Sequence, residues 1–438
     1  MSRYTEKMLD NLQKEAFGFF LQEYNPDKGL VRDKSDGQSP ASIAAIGFGL
    51  ASYIVAIERG FMKRNDAVKC TLAVVRFFSK SLQSTAPDAT GYQGFYYHFL
   101  DMESGRRTWA CELSTIDTGL LLLGMLAAAE YFSGDNASER EIRERVDILY
   151  HRTDWNWVCN GALTLSHGYK PRGGFLKYRW QGYNEGLVLY LLGLGSPSHP
   201  LTPKSYHAWT HTYQWQKIYD REFLYAGPLF IHQFLHVWCD FRGLQDDFMR
   251  KKSLDYFENS RRATYIQHEY CRQNPLGFKG YSDVNWGITA SDGPGPATRK
   301  IKGRRQNFYG YRARGVPFGP DDGTLSPWAA VTSLPFAPEI VLPTIEQFYK
   351  TKIDRRTHYG FVASFNPSFR DSSPEHFWRS KFNYGLNQGP LVLMIENFRS
   401  GLIWRLMRNC RPLVKGLQRA GFSGAWLPSN KKIYEKKS

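Results

Sequence analysis

Glu185 stands where a carboxyl group could act as an acid. It falls in WQGYNEGLVLYLLGLG (180–195), after a cluster of Trp180, Gly182 and Tyr183 and before a run of Leu187, Val188, Leu189, Leu191, Leu192 and Leu194. The run is too continuously apolar for a surface helix and too short to span a membrane, so it reads as a buried helix. A carboxylate at the mouth of such a helix, beside Tyr183 and Trp180, is one that desolvation moves toward the working range of a general acid. The competing reading is a first-turn Glu that complements the helix dipole. Glu112 and Asp117, in ACELSTIDTGLLLLGML, precede or open a second buried helix, and Glu112 also suits a plain cap. Two carboxylates delivered from separate helices to one mouth are what glycoside cleavage requires, one to protonate the leaving oxygen and one to serve as nucleophile or base.

Weaker signals lie elsewhere. In HQFLHVWCD, His232, His236 and Asp240 recur every four residues on one predicted helical face. Metal ligation is the sharp reading. However, such a row extends about 12 Å along a helix, too far for one ion, so substrate hydrogen bonding or a buried polar network is expected instead. Asp292 (ASDGPG), Asp321 and Asp322 (PDDGTLSP) and Glu339 (APEI) sit in turn-forming contexts that need no chemistry.

The chain has 438 residues, 42% of them hydrophobic, enough for one large core or two ordinary ones. Aromatics reach 15%, and many stand in Gly-rich polar stretches such as GYQGFYYHF (91–99). Rings so placed are candidates for stacking on the C–H faces of sugars as well as for core. The formal charge of +16 is uneven, since residues 401–438 hold nine Lys or Arg against one Glu. A second basic stretch, Arg299, Lys300, Lys302, Arg304, Arg305, Arg312 and Arg314, is interleaved with Phe308, Tyr309 and Tyr311, a mixture that single-stranded nucleic-acid binders also use. No nucleic-acid module accompanies it, so no nucleic-acid partner is expected. The six cysteines are scattered without C-x-x-C, which argues against a zinc ribbon or a disulfide scaffold. The N-terminus has no apolar signal core, so the chain as written reads as cytoplasmic, and a removed leader would leave the same sequence.

The elements that must position these residues are mostly helices. Thr5–Tyr24, Arg64–Leu82, Glu139–Tyr150 and Asp246–Arg272 are amphipathic or charged. They alternate with the apolar Ser42–Arg59, Leu113–Phe132, Glu185–Leu194 and Pro228–Phe241. Ser326–Leu334, Ala337–Tyr349 and Gln388–Met407 follow, and no strand-rich block exceeds the 91–100 segment. Inner helices paired with outer ones predict an all-α fold, a single (α/α)6 toroid of helical hairpins with long loops at one face. One domain over 1–438 is expected, with a basic tail at about 428–438.

Several long motifs resemble the glycoamylase-like family. They are DGQSPASIAAIGFGLASYIVAIERGFM (36–62), GFYYHFLDMESGRR with ELSTIDTGLLLLGML, GFLKYRWQGYNEGLVLYLLGLGSPSHP, HQFLHVWCDFRGLQDDFM, DYFENSRRA, WGITASDGP, DDGTLSPWAA, SLPFAPEI and NQGPLVLMIEN. That family includes the transglycosylation domain of cyclic β-1,2-glucan synthases and is related to the endo-β-1,2-glucanases of glycoside hydrolase family 144. The resemblance covers roughly residues 5–427. It implies an (α/α) toroid acting on β-glucans, particularly β-1,2-linked ones. It makes Glu185 of GYNEG the acid or acid/base, Glu112 of ELSTIDT the second carboxylate and Asp117 a sugar-binding neighbour. Glucanases of that group often show YGF-x-D-A-F-N, whereas this chain has YGFVASFN, with Ala363 in place of the Asp.

The expected catalytic pair is therefore Glu185 and Glu112. Asp117, Tyr183, Trp180, His98, His232, Asp292, Asp322 and Gln388 are expected to bind substrate, with neither metal nor cofactor. Hydrolysis of a β-glucan, transglycosylation at the same site and carbohydrate binding without catalysis all stay open. The basic 299–314 segment reads either as a solvated loop or as an attractor of anionically substituted glucan.

Overall fold

The computed structural model describes residues 2–301, 303–351, 353, 358–370 and 377–429. Its helices are α1 (Arg3–Gln22), α2 (Ile43–Glu58), α3 (Arg64–Lys80), α4 (Thr115–Tyr131), α5 (Ala137–Arg152), α6 (Leu187–Gly195) and α7 (Pro203–Thr210). They continue as α8 (Phe234–Trp238), α9 (Asp247–Lys251), α10 (Tyr256–Gln273), α11 (Pro327–Thr332), α12 (Pro338–Lys350), α13 (Gly385–Arg399), α14 (Leu402–Met407) and α15 (Arg411–Arg419).

The expected alternation is present. α2, α4, α6, α8, α11 and α13 are buried nearly throughout, whereas α1, α3, α5, α7, α10 and α12, which precede them in turn, bury one face. Among the buried set α2 packs on α4 and α13, α4 on α6, and α13 on both α8 and α11. Glycine makes the α2–α4 approach possible. A Cβ at Gly124 would lie 2.1 Å from the Gly47 carbonyl oxygen, so even Ala would force the backbones apart. Apolar residues from Met8 to Leu427 join in one buried cluster.

Two expectations change. The 246–272 segment divides into α9 and α10, and the 388–407 segment into α13 and α14, Gly401 holding φ +68° between the latter pair. The protein is helix-rich but not all-α. A five-stranded antiparallel sheet takes the order 91–92, 95–97, 113–114, 168–170, 174–175, and two-stranded pairs such as 41–42 with 99–100, 290–291 with 312–313 and 297–301 with 304–308 stand beside the helices. These strands carry much of the site. The 428–438 tail lies outside the described residues from position 430 onward. Among the described residues no helix is long and apolar enough to cross a membrane.

Candidate active site

The N-terminal ends of the buried helices converge on a cavity of about 410 Å³. Asp117 comes from the first turn of α4, Glu185 from the turn before α6, Trp328 from the start of α11, and Tyr384, Leu386 and Asn387 from the start of α13. The loop before α2 contributes Asp33, and the 290–291 and 312–313 strand pair holds Asp292 beside Tyr311. Phe99, Phe230, Phe234 and Trp328 supply apolar surface. Helix N-termini favour negative charge, so this is where a cluster of carboxylates is tolerated.

Glu185 precedes α6 rather than opening it; Gly186 is the N-cap. Its carboxyl group, half-buried on the cavity wall, is pushed up to about 7, chiefly by desolvation and further by the neighbouring Asp117 charge. Desolvation in an apolar wall is thus the mechanism that sets the group, as the sequence predicts.

His98 and the carboxylates around it follow from strand pairing. Tyr97 pairs with Leu113, and the His98 N–H donates to the Glu112 carbonyl at 3.0 Å, which sets the two side chains together. His98 Nδ1 lies 3.0 Å from Glu112 Oε1 and Nε2 lies 3.5 Å from Asp117 Oδ2. Burial opposes charging this imidazole, but Asp117, Glu112 and Asp33 outweigh it and raise His98 to about 9. It is a cation at neutral pH. The same contact holds Glu112 below the usual carboxylate range against the opposing effect of burial. Ser114, the N-cap of α4, accepts from the Asp117 N–H and gives its hydroxyl to the Asp117 carboxylate. Tyr384 likewise donates to Asp292. Asp33 is pushed up to about 6, mainly by burial, which His98 and Lys34 partly oppose.

The structure therefore brings Glu185, Asp117, His98 and Asp292 together, and leaves other expected residues elsewhere. Glu112 is not among the cavity-lining residues; it lies behind His98. Trp180 donates from Nε1 to Thr115 Oγ1 at 2.9 Å and stacks on His167, so it props α4 from outside the cavity. Tyr183 is buried among Tyr213, His232 and Tyr256. The predicted His232, His236, Asp240 row is broken. A 3-10 turn ends at His232, α8 begins after Gln233, and Asp240 lies past the helix end. His232 bonds the Ala226 carbonyl and His236 bonds Ser260, and burial lowers them to about 4 and about 3, so both are neutral core residues. Asp240 is paired with Arg242 and Arg408. Asp322 has no exposure and is bound to Arg314, so it does not reach a ligand. Gln388 is buried, and its neighbour Asn387 faces the cavity instead. Ala363 lines the cavity with a methyl group.

The basic segment also changes. Arg314 is fully buried, Arg299 lies over the Phe369 ring with its centre 3.6 Å away, and Lys302 and the Arg304 side chain lie outside the described residues. What remains exposed on this hairpin includes Lys300 and Arg305, directly opposite each other in register. Asp33, Tyr311, Tyr384 and Asn387 line the cavity, and periodicity did not mark them. For Tyr384 the signal was its place just before the NQGP motif.

Residues 177–411, more than half of the chain, match the Glycoamylase family, described as putative glucoamylase. A crystal structure of the same description from Bacteroides uniformis is 30% identical, covers 98% of this chain and 100% of that one, and superposes with a TM-score of 0.85. The endo-β-1,2-glucanase of Chitinophaga pinensis, solved with sophorotriose and glucose, is 26% identical over 98% of this chain and 100% of that one, with a TM-score of 0.84. The exo β-1,2-glucooligosaccharide sophorohydrolase (non-reducing end) of Parabacteroides distasonis is 26% identical over 94% of this chain. The present chain spans 58% of that relative's length. By the family match and the 30% identical relative, the chain belongs to the Glycoamylase family.

Proposed function

We propose that the protein is a glycoside hydrolase of β-1,2-linked glucan, working in the cavity that Glu185, Asp117, Asp33 and Asp292 share. The observation that carries this reading is Glu185: a desolvated carboxyl at about 7, on the wall of a cavity lined by aromatic rings and further carboxylates. Such a group is substantially protonated near neutrality and able to give its proton to a leaving glycosidic oxygen. The aromatic walls suit the apolar faces of pyranose rings, and the substrates in the names of the Chitinophaga and Parabacteroides relatives support the β-1,2 linkage.

In this reading Asp117, His98 and Asp292 bind sugar hydroxyls, with Tyr311, Tyr384 and Asn387 beside them. Glu112 acts as a positioning residue that fixes the His98 ring. The six outer and inner helix pairs, α1/α2, α3/α4, α5/α6, α7/α8, α10/α11 and α12/α13, close into one (α/α)6 toroid; the packing of α13 on both α2 and α1 supports closure. The shared core supports one domain. Lys300 and Arg305 attract glucan carrying anionic substituents.

Transglycosylation is the second reading, favoured by Ala363, which lines the cavity with a methyl group where the glucanase motif has a carboxylate. Incubation with linear β-1,2-glucan followed by chromatography separates the readings. Hydrolysis gives shorter reducing oligosaccharides, transglycosylation gives longer or cyclic products, and unchanged glucan overturns both in favour of binding alone.

A further inference from the structure

Resting on the hydrolase reading, we propose that Asp33 is the base that activates water opposite Glu185. The argument begins from what holds each carboxylate. Asp117 is tied by Ser114 and His98, Asp292 by Tyr384 and Glu112 by His98. The His98 contact holds the Glu112 carboxyl below the usual carboxylate range and so weakens it as a base. Among the described hydrogen bonds and ion pairs, no donor from another residue reaches the side-chain oxygens of Asp33 or Glu185, and Glu185 is met by its own backbone N–H. They are the two cavity carboxylates free to exchange protons with substrate and water.

The backbone of Asp33 is nonetheless fixed. Its N–H donates to the Pro40 carbonyl at 2.8 Å, and its carbonyl accepts from Gly385 at the start of α13 at 2.9 Å. The side chain is thereby held at the cavity beside Tyr384, while Glu185 arrives from the turn before α6. The groups facing Asp33 are His98 and Lys34, which favour its charge, and Asp117 and Asp292, which oppose it; Tyr311 and Tyr384 complete the surroundings. At about 6 the group is mostly ionised at neutral pH yet more basic than an ordinary aspartate, the compromise a general base needs.

The reaction then balances without a co-reactant. Glu185 gives its proton to the glycosidic oxygen as the bond from C1 to that oxygen breaks. A water oxygen bonds to C1 from the opposite face, and its proton passes to Asp33. Asp33 then releases a proton to solvent and Glu185 takes one up, so one water is consumed per bond cut and the anomeric centre is inverted.

The test uses the full chain with linear β-1,2-glucan. Asp33→Asn should lower kcat by roughly 100-fold or more with KM within a few-fold, and should abolish the fall in activity below about pH 6. Asp33→Ala with azide should regain turnover and yield the α-glycosyl azide, identified by NMR. Wild-type cleavage together with an Asp33→Asn kcat within a few-fold of wild type overturns Asp33 as base while leaving the hydrolase reading intact. Loss of oligosaccharide binding in both variants, no azide rescue, or a β-azide product also overturns it, the first by making Asp33 structural. A wild-type protein that cleaves no β-1,2-glucan removes the hydrolase reading itself and Asp33's role with it.

Discussion

Arg314 and Asp322 meet as a fully buried ion pair, Nε lying 2.7 Å from Oδ1 and Nη2 2.8 Å from Oδ2. Arg314 also donates to the carbonyls of Ser291, Tyr309 and Gly310, so it ties the strands that present Asp292 and Tyr311 to the turn at Asp322. The geometry requires a fork of donors, which Lys cannot supply. Asp322→Ala strands a buried guanidinium and should cost about 3 to 5 kcal/mol. Arg314→Lys should fail to preserve stability. Chemical denaturation checks both, and an unchanged midpoint in either would mean the pair does not hold this wall.

Turnover should fall as pH rises through about 7, because Glu185 must be protonated to act and its carboxyl sits at about 7. A kcat profile that stays level from pH 6 to 9 would place the acid elsewhere.

His98 should tie stability to pH. Its folded value of about 9 lies above the ordinary 6.5, so its contribution is fully present below pH 6.5 and is lost as pH rises through about 9. Each pKa unit is worth about 1.4 kcal/mol, so the rise from 6.5 to about 9 corresponds to an effect on the order of 3 to 4 kcal/mol. Thermal melts of wild type and His98→Gln should differ most below pH 6.5 and converge toward pH 9 to 10. A constant difference across that range would assign His98 a packing role only.

Lys300 and Arg305 face each other across the hairpin, and like charges in that position repel. An anionic substituent on the glucan relieves the repulsion. Tighter binding of anionic than neutral β-1,2-glucan is expected at low salt, fading as salt screens it. The double variant Lys300→Ala, Arg305→Ala should lose that preference while its kinetics on neutral glucan stay unchanged. Equal losses on both substrates would show that the two cations hold the hairpin's shape.

The helices were legible because long apolar runs such as 43–56 and 115–128 can only be buried, and Glu185 was legible because it stands at the mouth of one. What depended on strand pairing was not. Two-residue strands are too short to show alternation, so nothing in the sequence put His98 between Glu112 and Asp117. Asp322 and Arg314 are eight residues apart across a turn, and with neither in a periodic element they read as a substrate ligand and as part of a basic stretch rather than as a buried pair. The helical row of His232, His236 and Asp240 assumed an unbroken helix, and the break at Gln233 turned its members to separate partners. Asp33 lies in a turn-rich loop, which contacts distant in sequence, such as those with Pro40 and Gly385 and the Lys34–Tyr384 bridge, bring to the cavity.

The most direct test compares wild type with Glu185→Gln on linear β-1,2-glucan, measuring release of reducing ends alongside oligosaccharide affinity. Because Gln keeps the shape but has no proton to give, kcat should fall roughly 100-fold or more with binding nearly unchanged. Turnover equal to wild type in Glu185→Gln would contradict the assignment of Glu185 as the acid and, with it, the account of this cavity.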